Sequence, residues 1–374
     1  MAPDPRRLAA LDQFRGYTVL GMFLVNFVGS FAVVRADLPL LAHHHTYCGY
    51  ADTIMPQFLF AVGFAYRLTF LRRRAADGPA AAYGHAARRT AALALVAFAV
   101  HNVGSNWQTW HAADQLHAVL LRWAKQDFFQ TLGHIAATCL WVLPVIAARP
   151  GVRVAFAVAS GALHLALSYV AYYRWVNTPP NGVDGGPLGF LTWCVPLLVG
   201  SLAHDLVTTA ADKGKAVRVL LAYGVAVMLL AYGLSCLRLA PMDQDYGAFA
   251  VTVAATEPPL VHVDAKPPTN NLFTMSQRSG GVTYPLFGAG FSLAVLAVFV
   301  VACDIGGRQV GVFRTLGSNA LAGYVIHGLV NAAVKPFVPR DAPLWYVAAG
   351  LTVSLALCYL FVRYLERQKL FLKL

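Results

Sequence analysis

Residues 51–71 read Ala51-Asp52-Thr53-Ile54-Met55-Pro56-Gln57-Phe58-Leu59-Phe60-Ala61-Val62-Gly63-Phe64-Ala65-Tyr66-Arg67-Leu68-Thr69-Phe70-Leu71. One acid stands near the start, one base near the end, and the stretch between is apolar. That is the length and composition of a helix crossing a bilayer, which needs about 20 residues. Asp52 falls in the first turn, where the helix dipole favours a carboxylate. Pro56 also lies early, where its missing N–H costs little. Just before this run comes a polar link, His43-His44-His45-Thr46-Tyr47-Cys48-Gly49-Tyr50. Imidazoles and a carboxylate at a membrane boundary cost free energy, so their presence points to function, here proton transfer.

Similar apolar runs recur along the chain. Ten are expected, at approximately 17–34, 51–71, 90–106, 129–147, 153–173, 188–209, 218–236, 284–303, 311–333 and 343–363. The composition agrees: 58% of residues are hydrophobic and 12% charged, with a mean hydropathy of +0.56, whereas soluble domains carry about 25% charged residues. The expected fold is all-α, a polytopic transmembrane helical bundle forming one domain over 1–374, with a long external loop at about 237–283.

The formal charge of +12 invites a nucleic-acid partner, but its distribution excludes one. With the N-terminus in the cytoplasm, most Lys and Arg fall in the cytoplasmic links, densest at Arg72-Arg73-Arg74 with Arg88 and Arg89. This is the positive-inside pattern, and it places both termini in the cytoplasm. The lipid bilayer is the partner it implies. The first apolar run is too long for a signal peptide and lacks a small-residue cleavage site. The six cysteines show no metal-ligand spacing, and adjacent histidines rarely converge on one ion, so no metal is expected. Cys48 and Cys236 both approach the external face, where a disulfide could join them.

Polar residues inside the runs are the remaining signal. Arg15, Met22, Asn26 and Gly29 share one helical stripe, and a mid-membrane amide such as Asn26 must find a partner. Asp12 and Arg15 are spaced to pair. His101, Asn102, Asn106, His134, Tyr324, His327 and Asn331 fall at similar depth near the external side, a pattern suited to a wet cavity. Residues 107–128, with Trp107, Trp110 and Trp123 among polar groups, suit a helix lying in the interface.

Several stretches resemble a known family. Leu11-Asp12-Gln13-Phe14-Arg15-Gly16 followed by Met22-Phe23-Leu24-Val25-Asn26 is similar to the opening of the heparan-α-glucosaminide N-acetyltransferase family. The histidine-bearing link, Ala51-Asp52, Pro56-Gln57-Phe58 and Phe60-Ala61-Val62-Gly63 continue the likeness. Weaker echoes follow at Leu132-Gly133-His134-Ile135-Ala136, at Asn271-Leu272-Phe273-Thr274, and at Leu316-Gly317-Ser318-Asn319-Ala320-Leu321 with Tyr324 and His327. The chain departs from the family's His-x-x-Trp-x-Gly in having Tyr47 for the tryptophan and a link about two residues shorter. Aligning on Gly49 selects His44 as the family's histidine, aligning on Asp52 selects Ala42, which cannot act, and His43 and His45 stand as close alternatives to His44. His134 stands where the family has arginine.

The resemblance implies a polytopic acyltransferase that takes acetyl-CoA from the cytoplasm and delivers the acetyl group to a sugar or glycan acceptor on the far side. In that reading His44 is the general base or the acetyl carrier, Asp52 holds its tautomer, and Asn26 donates to the developing oxyanion. Arg67, Arg72, Arg15 and Asn319 are the expected coenzyme contacts, and His43, His45, His134 and His327 the expected acceptor contacts. A homodimer is compatible with it. The rival expectation is a transporter using the same polar groups as a solute or proton path, which predicts inverted repeats or paired broken helices; neither is visible in the sequence.

Overall fold

A computed structural model describes residues 8–45, 47–100, 113–237, 239, 241–242 and 271–372. Helices and turns account for all regular structure there, with no strand among the described residues. The chain runs through α1 (Ala9–Val28), α2 (Ala32–Asp37), α3 (Tyr50–Val100), α4 (Ala113–Arg122), α5 (Thr131–Val142), α6 (Pro150–Asn177), α7 (Gly186–Thr209), α8 (Lys213–Ser235), α9 (Thr283–Ile305), α10 (Gly311–Ser318), α11 (Ala320–Val334) and α12 (Leu344–Arg367).

Six of these helices, α3, α6, α7, α8, α9 and α12, are long and apolar enough to cross a membrane. The ten expected runs map onto them unevenly, for local reasons. Run 51–71 and the described part of run 90–106, to Val100, lie on two helical arms of α3 that meet at a non-helical kink, Gly78 (φ 84°, ψ 171°). Only residues 131–142 of run 129–147 form an α-helix. Run 311–333 is split at Asn319 (φ −136°, ψ 48°). In α1 the polar Asp12, Gln13, Arg15 and Asn26 dilute the apolar sequence.

Burial sorts the spans into an inner and an outer set. The apolar windows of α3 and α7 are 67% and 72% buried, whereas those of α6, α8 and α12 are 22%, 22% and 28% buried. α3 packs on α7, α5, α9 and α1, while α6 leans on α7, α8 on α9, and α12 on α11. The outer helices present Val158, Leu229, Val353 and Leu360 to their surroundings. Lipid tails solvate such faces as well as a protein core would.

The α3–α7 crossing rests on two glycines. A Cβ on Gly63 would stand 1.8 Å from the carbonyl oxygen of Leu197, and one on Gly200 would stand 2.0 Å from that of Phe60. The backbones therefore meet with no side chain between them. This contact brings the N-terminal ends of α3 and α7 to the same face, joined there by those of α5 and α9.

Candidate active site at the converging helix ends

Asp52 is third in α3, counting from Tyr50, and Gly49 precedes the helix. The Asp52 Oδ2 accepts the Gly49 backbone N–H at 3.0 Å, half of a capping box. Its other oxygen, Oδ1, lies 2.8 Å from His43 Nδ1. The Asp52 main-chain carbonyl accepts Tyr284 Oη–H at 2.9 Å. A carboxylate that is 1% exposed is thus held on both oxygens by partners the sequence places within nine residues.

An ionised carboxylate has no proton to give, so the His43–Asp52 bond fixes the proton on Nδ1. His43 Nε2 then carries the lone pair, and it has no hydrogen-bond partner among the described residues. The His43 side chain is 40% exposed. Burial pulls its pKa down, but the Asp52 hydrogen bond and charge, with a smaller contribution from Asp184, outweigh that and raise it above the ordinary histidine value. The ring is thus accessible to a partner yet partly desolvated by the surrounding protein. This is the geometry of an oriented general base.

The expected base, His44, sits elsewhere. Its Nε2 lies 2.5 Å from the Pro39 carbonyl and 2.8 Å from Tyr47 Oη, and its ring stacks on Tyr47 at 4.2 Å. The histidine paired with Asp52 is therefore His43. The physical reason is local packing: Gly49 lies against the Leu40 carbonyl and the His44 ring, with His44 turned back on its own loop. His45 is exposed; burial and the Arg278 guanidinium hold its pKa below the usual value.

Asn26 and His327 form a second group. Asn26 Nδ2 lies 3.1 Å from His327 Nε2, and His327 Nδ1 donates to the Tyr324 carbonyl. That tautomer leaves Nε2 to accept from the amide. Lys335 Nζ donates to the Asn26 carbonyl at 2.7 Å. Tyr324 links this group to the first, reaching Thr131 and lying within electrostatic range of Asp184. His134 is fully buried between Phe129 and Trp193. Its ring nitrogens lack a well-formed hydrogen bond, although the main chains of Val183 and Phe129 lie close.

The expected coenzyme contacts lie at the opposite face. Arg67 is 15 positions after Asp52 on α3, roughly 22 Å along the axis. It forks onto Asp205 at 3.0 and 3.1 Å and reaches the Ile146 carbonyl at 2.6 Å. Arg153 joins the same carboxylate and donates to Ser201 at 2.8 Å. Arg67 is thus committed to an internal ion cluster instead of extending to the interface. Arg15 lies 4.0 Å from Asp12, and Arg72 is exposed. Asn319 donates to the Leu370 carbonyl at 2.9 Å and accepts from Leu372 N–H at 3.1 Å, so both ends of its amide hold residues 370–372. Cys48 and Cys236 are free thiols. His101, Asn102, Asn106, Trp107, Trp110 and most of the 237–283 loop lie outside the described residues.

Asp184 was not singled out by its sequence. Val183-Asp184-Gly185-Gly186 looks like an ordinary turn. The signal was its setting: a solitary acid on a link at the histidine-bearing face. Asp184 is 5% exposed with φ 51°, and its carbonyl accepts Trp193 Nε1–H at 2.7 Å. Gly185 and Gly280, both at positive φ, let the 183–186 and 271–282 segments touch: a Cβ on Gly280 would lie 2.6 Å from Gly185 Cα. Burial pushes the Asp184 carboxyl up to about 6.

No protein-family model matches the chain, and no curated protein matches it.

Proposed function

We propose that the chain is a membrane-embedded acyltransferase in which His43, oriented by Asp52, activates the acceptor. The observation that carries this reading is the 2.8 Å His43–Asp52 bond with Nε2 left open. Nε2 takes a proton from the amine or hydroxyl of a sugar or glycan as that atom bonds to the acyl carbon of acyl-CoA. The C–S bond breaks, and the departing thiolate takes the proton from the imidazolium. Asp52 stabilises the imidazolium meanwhile. The four helix N-termini at this face add positive potential for the developing oxyanion. Asn26, already donating to His327, is not assigned that task.

The same proposal includes the topology. The basic corner of α3 at Arg72-Arg73-Arg74 faces the cytoplasm, as do both termini, and α1, α5, the second arm of α3 and the α10–α11 pair complete a count of about ten passes. A bacterial cytoplasmic membrane fits this arrangement. Acyl-CoA arrives from the basic face and threads towards His43.

The test is transfer of labelled acetyl from acetyl-CoA to glucosamine by membranes carrying the wild type, His43→Ala or His44→Ala, with detergent size-exclusion profiles confirming folding. His43→Ala should lose about 10²–10⁴-fold, and His44→Ala should retain most activity. Unchanged transfer in His43→Ala removes the base. No transfer by the wild type, with solute flux instead, replaces the enzyme by a transporter.

A further inference from the structure

Asp184 is a titratable group at the His43 face whose bonding is incomplete, as is that of His134 among the described residues. Its Oδ1 is buried and has no hydrogen-bond partner among the described residues. The Gln277 side chain is the group close enough to donate to the carboxyl. Buried carboxylate oxygens are ordinarily satisfied, and an exception calls for an explanation. The neighbours do not supply one. His43 gives its Nδ1 proton to Asp52, Trp193 gives its N–H to the Asp184 main chain, and Tyr284 gives its O–H to the Asp52 main chain. Yet Asp184 is within electrostatic range of His43, Asp52, Tyr284 and Tyr324. A carboxylate oxygen without a donor among the described residues, Asp184 Oδ1, therefore lies close to the base.

The backbone makes the placement deliberate. A non-glycine residue at φ 51° is uncommon, and Asp and Asn tolerate it best. The glycine contact between 185 and 280 then fixes the segment against the 271–282 link. Oδ1 is sealed in this state, and reaching it requires these two links to part.

We infer that Asp184 is a specificity residue: it accepts a hydrogen bond from a second donor on the acceptor, a hydroxyl neighbouring the group that His43 deprotonates. This rests on the acyl-transfer reading of the site. It narrows the acceptor from any amine or alcohol to one carrying vicinal donors. A site that hydrogen-bonds a substrate hydroxyl discriminates strongly against the analogue lacking it, because the protein group is then left unpaired.

The test compares glucosamine with 3-deoxyglucosamine as acetyl acceptors, using the wild type, Asp184→Asn and Asp184→Gly. Both replacements fit the positive φ. The wild type should prefer glucosamine by about 100-fold in kcat/KM, the range expected for a hydrogen bond to a charged group. Both variants should bring that preference within about 10-fold, chiefly by raising KM for glucosamine, and leave KM for acetyl-CoA unchanged. A merely structural role would lower both acceptors together and keep the ratio, which overturns the assignment. A wild type that shows no preference overturns it equally. A wild type that acetylates neither sugar instead removes the acyl-transfer reading, and the assignment with it.

Discussion

At the scale of single residues, three side-chain amides do the same task in three places. Gln13 pairs with Val310 through both N–H and C=O, Asn271 with Leu237 and Leu239, and Asn319 with Leu370 and Leu372. Each mimics a strand partner for a short irregular segment and so satisfies backbone groups that would otherwise be orphaned. The site follows different rules, since it keeps charge. Asp184 and His43 both have raised pKa values, so the fold favours their protonated forms. The Asp184 contribution is complete below about pH 4 and lost as pH climbs through about 6. The His43 contribution is complete below about 6.5 and lost as pH rises through its higher folded value. Asp184→Asn should therefore be more stable than the wild type at pH 7.5, with the advantage vanishing towards pH 4. Thermal unfolding in detergent across that range checks this; an advantage independent of pH contradicts it. The Asp52 partnership was half legible in the sequence. Proximity pointed to the histidine link, but one residue of register separates His43 from His44, and the turn that chooses between them is set by the Gly49–Leu40 contact. Asp184 was invisible because burial of a turn residue depends on segments nearly a hundred positions away.

At the scale of elements, apolar run length located the helices but not every break within them. Runs 51–71 and 90–106 were read as two hydrophobic stretches, and through Val100 the chain is two helical arms meeting at Gly78, with the intervening polar residues extending the arms. Asn319 interrupts a run that composition alone joins, because its side chain is engaged with 370–372. Gly63, a small residue within the 51–71 run, meets another helix. Gly63→Ala should push α3 from α7 and destabilise the protein by about 1–3 kcal/mol, the usual cost of overpacking. Gly84→Ala, on the second arm of α3 with only the end of the Arg88 side chain 4.0 Å from the added Cβ, serves as the control. Equal melting temperatures for the two variants would show that the α3–α7 contact yields easily.

At the scale of the whole molecule, the two ends of the bundle are chemically unlike. One gathers His43, Asp52 and Asp184 among helix N-termini. The other ties α3, α6 and α7 together through a single carboxylate, Asp205, shared by Arg67 and Arg153. Arg67 was legible as a charge near a helix end; its engagement with Asp205 was not, since the partner is 138 positions distant. This polarity gives the sidedness proposal its physical content. The corner at Gly78 has a consequence for it. A Cβ there would meet nothing within 4 Å, so the corner projects clear of its neighbours and only glycine's dihedral freedom shapes it. A short epitope spliced in at that point should leave assembly intact and act as a flag. Antibody that stains it only after the cytosolic side is opened places the arginine-rich corner inside; staining of intact cells reverses the molecule.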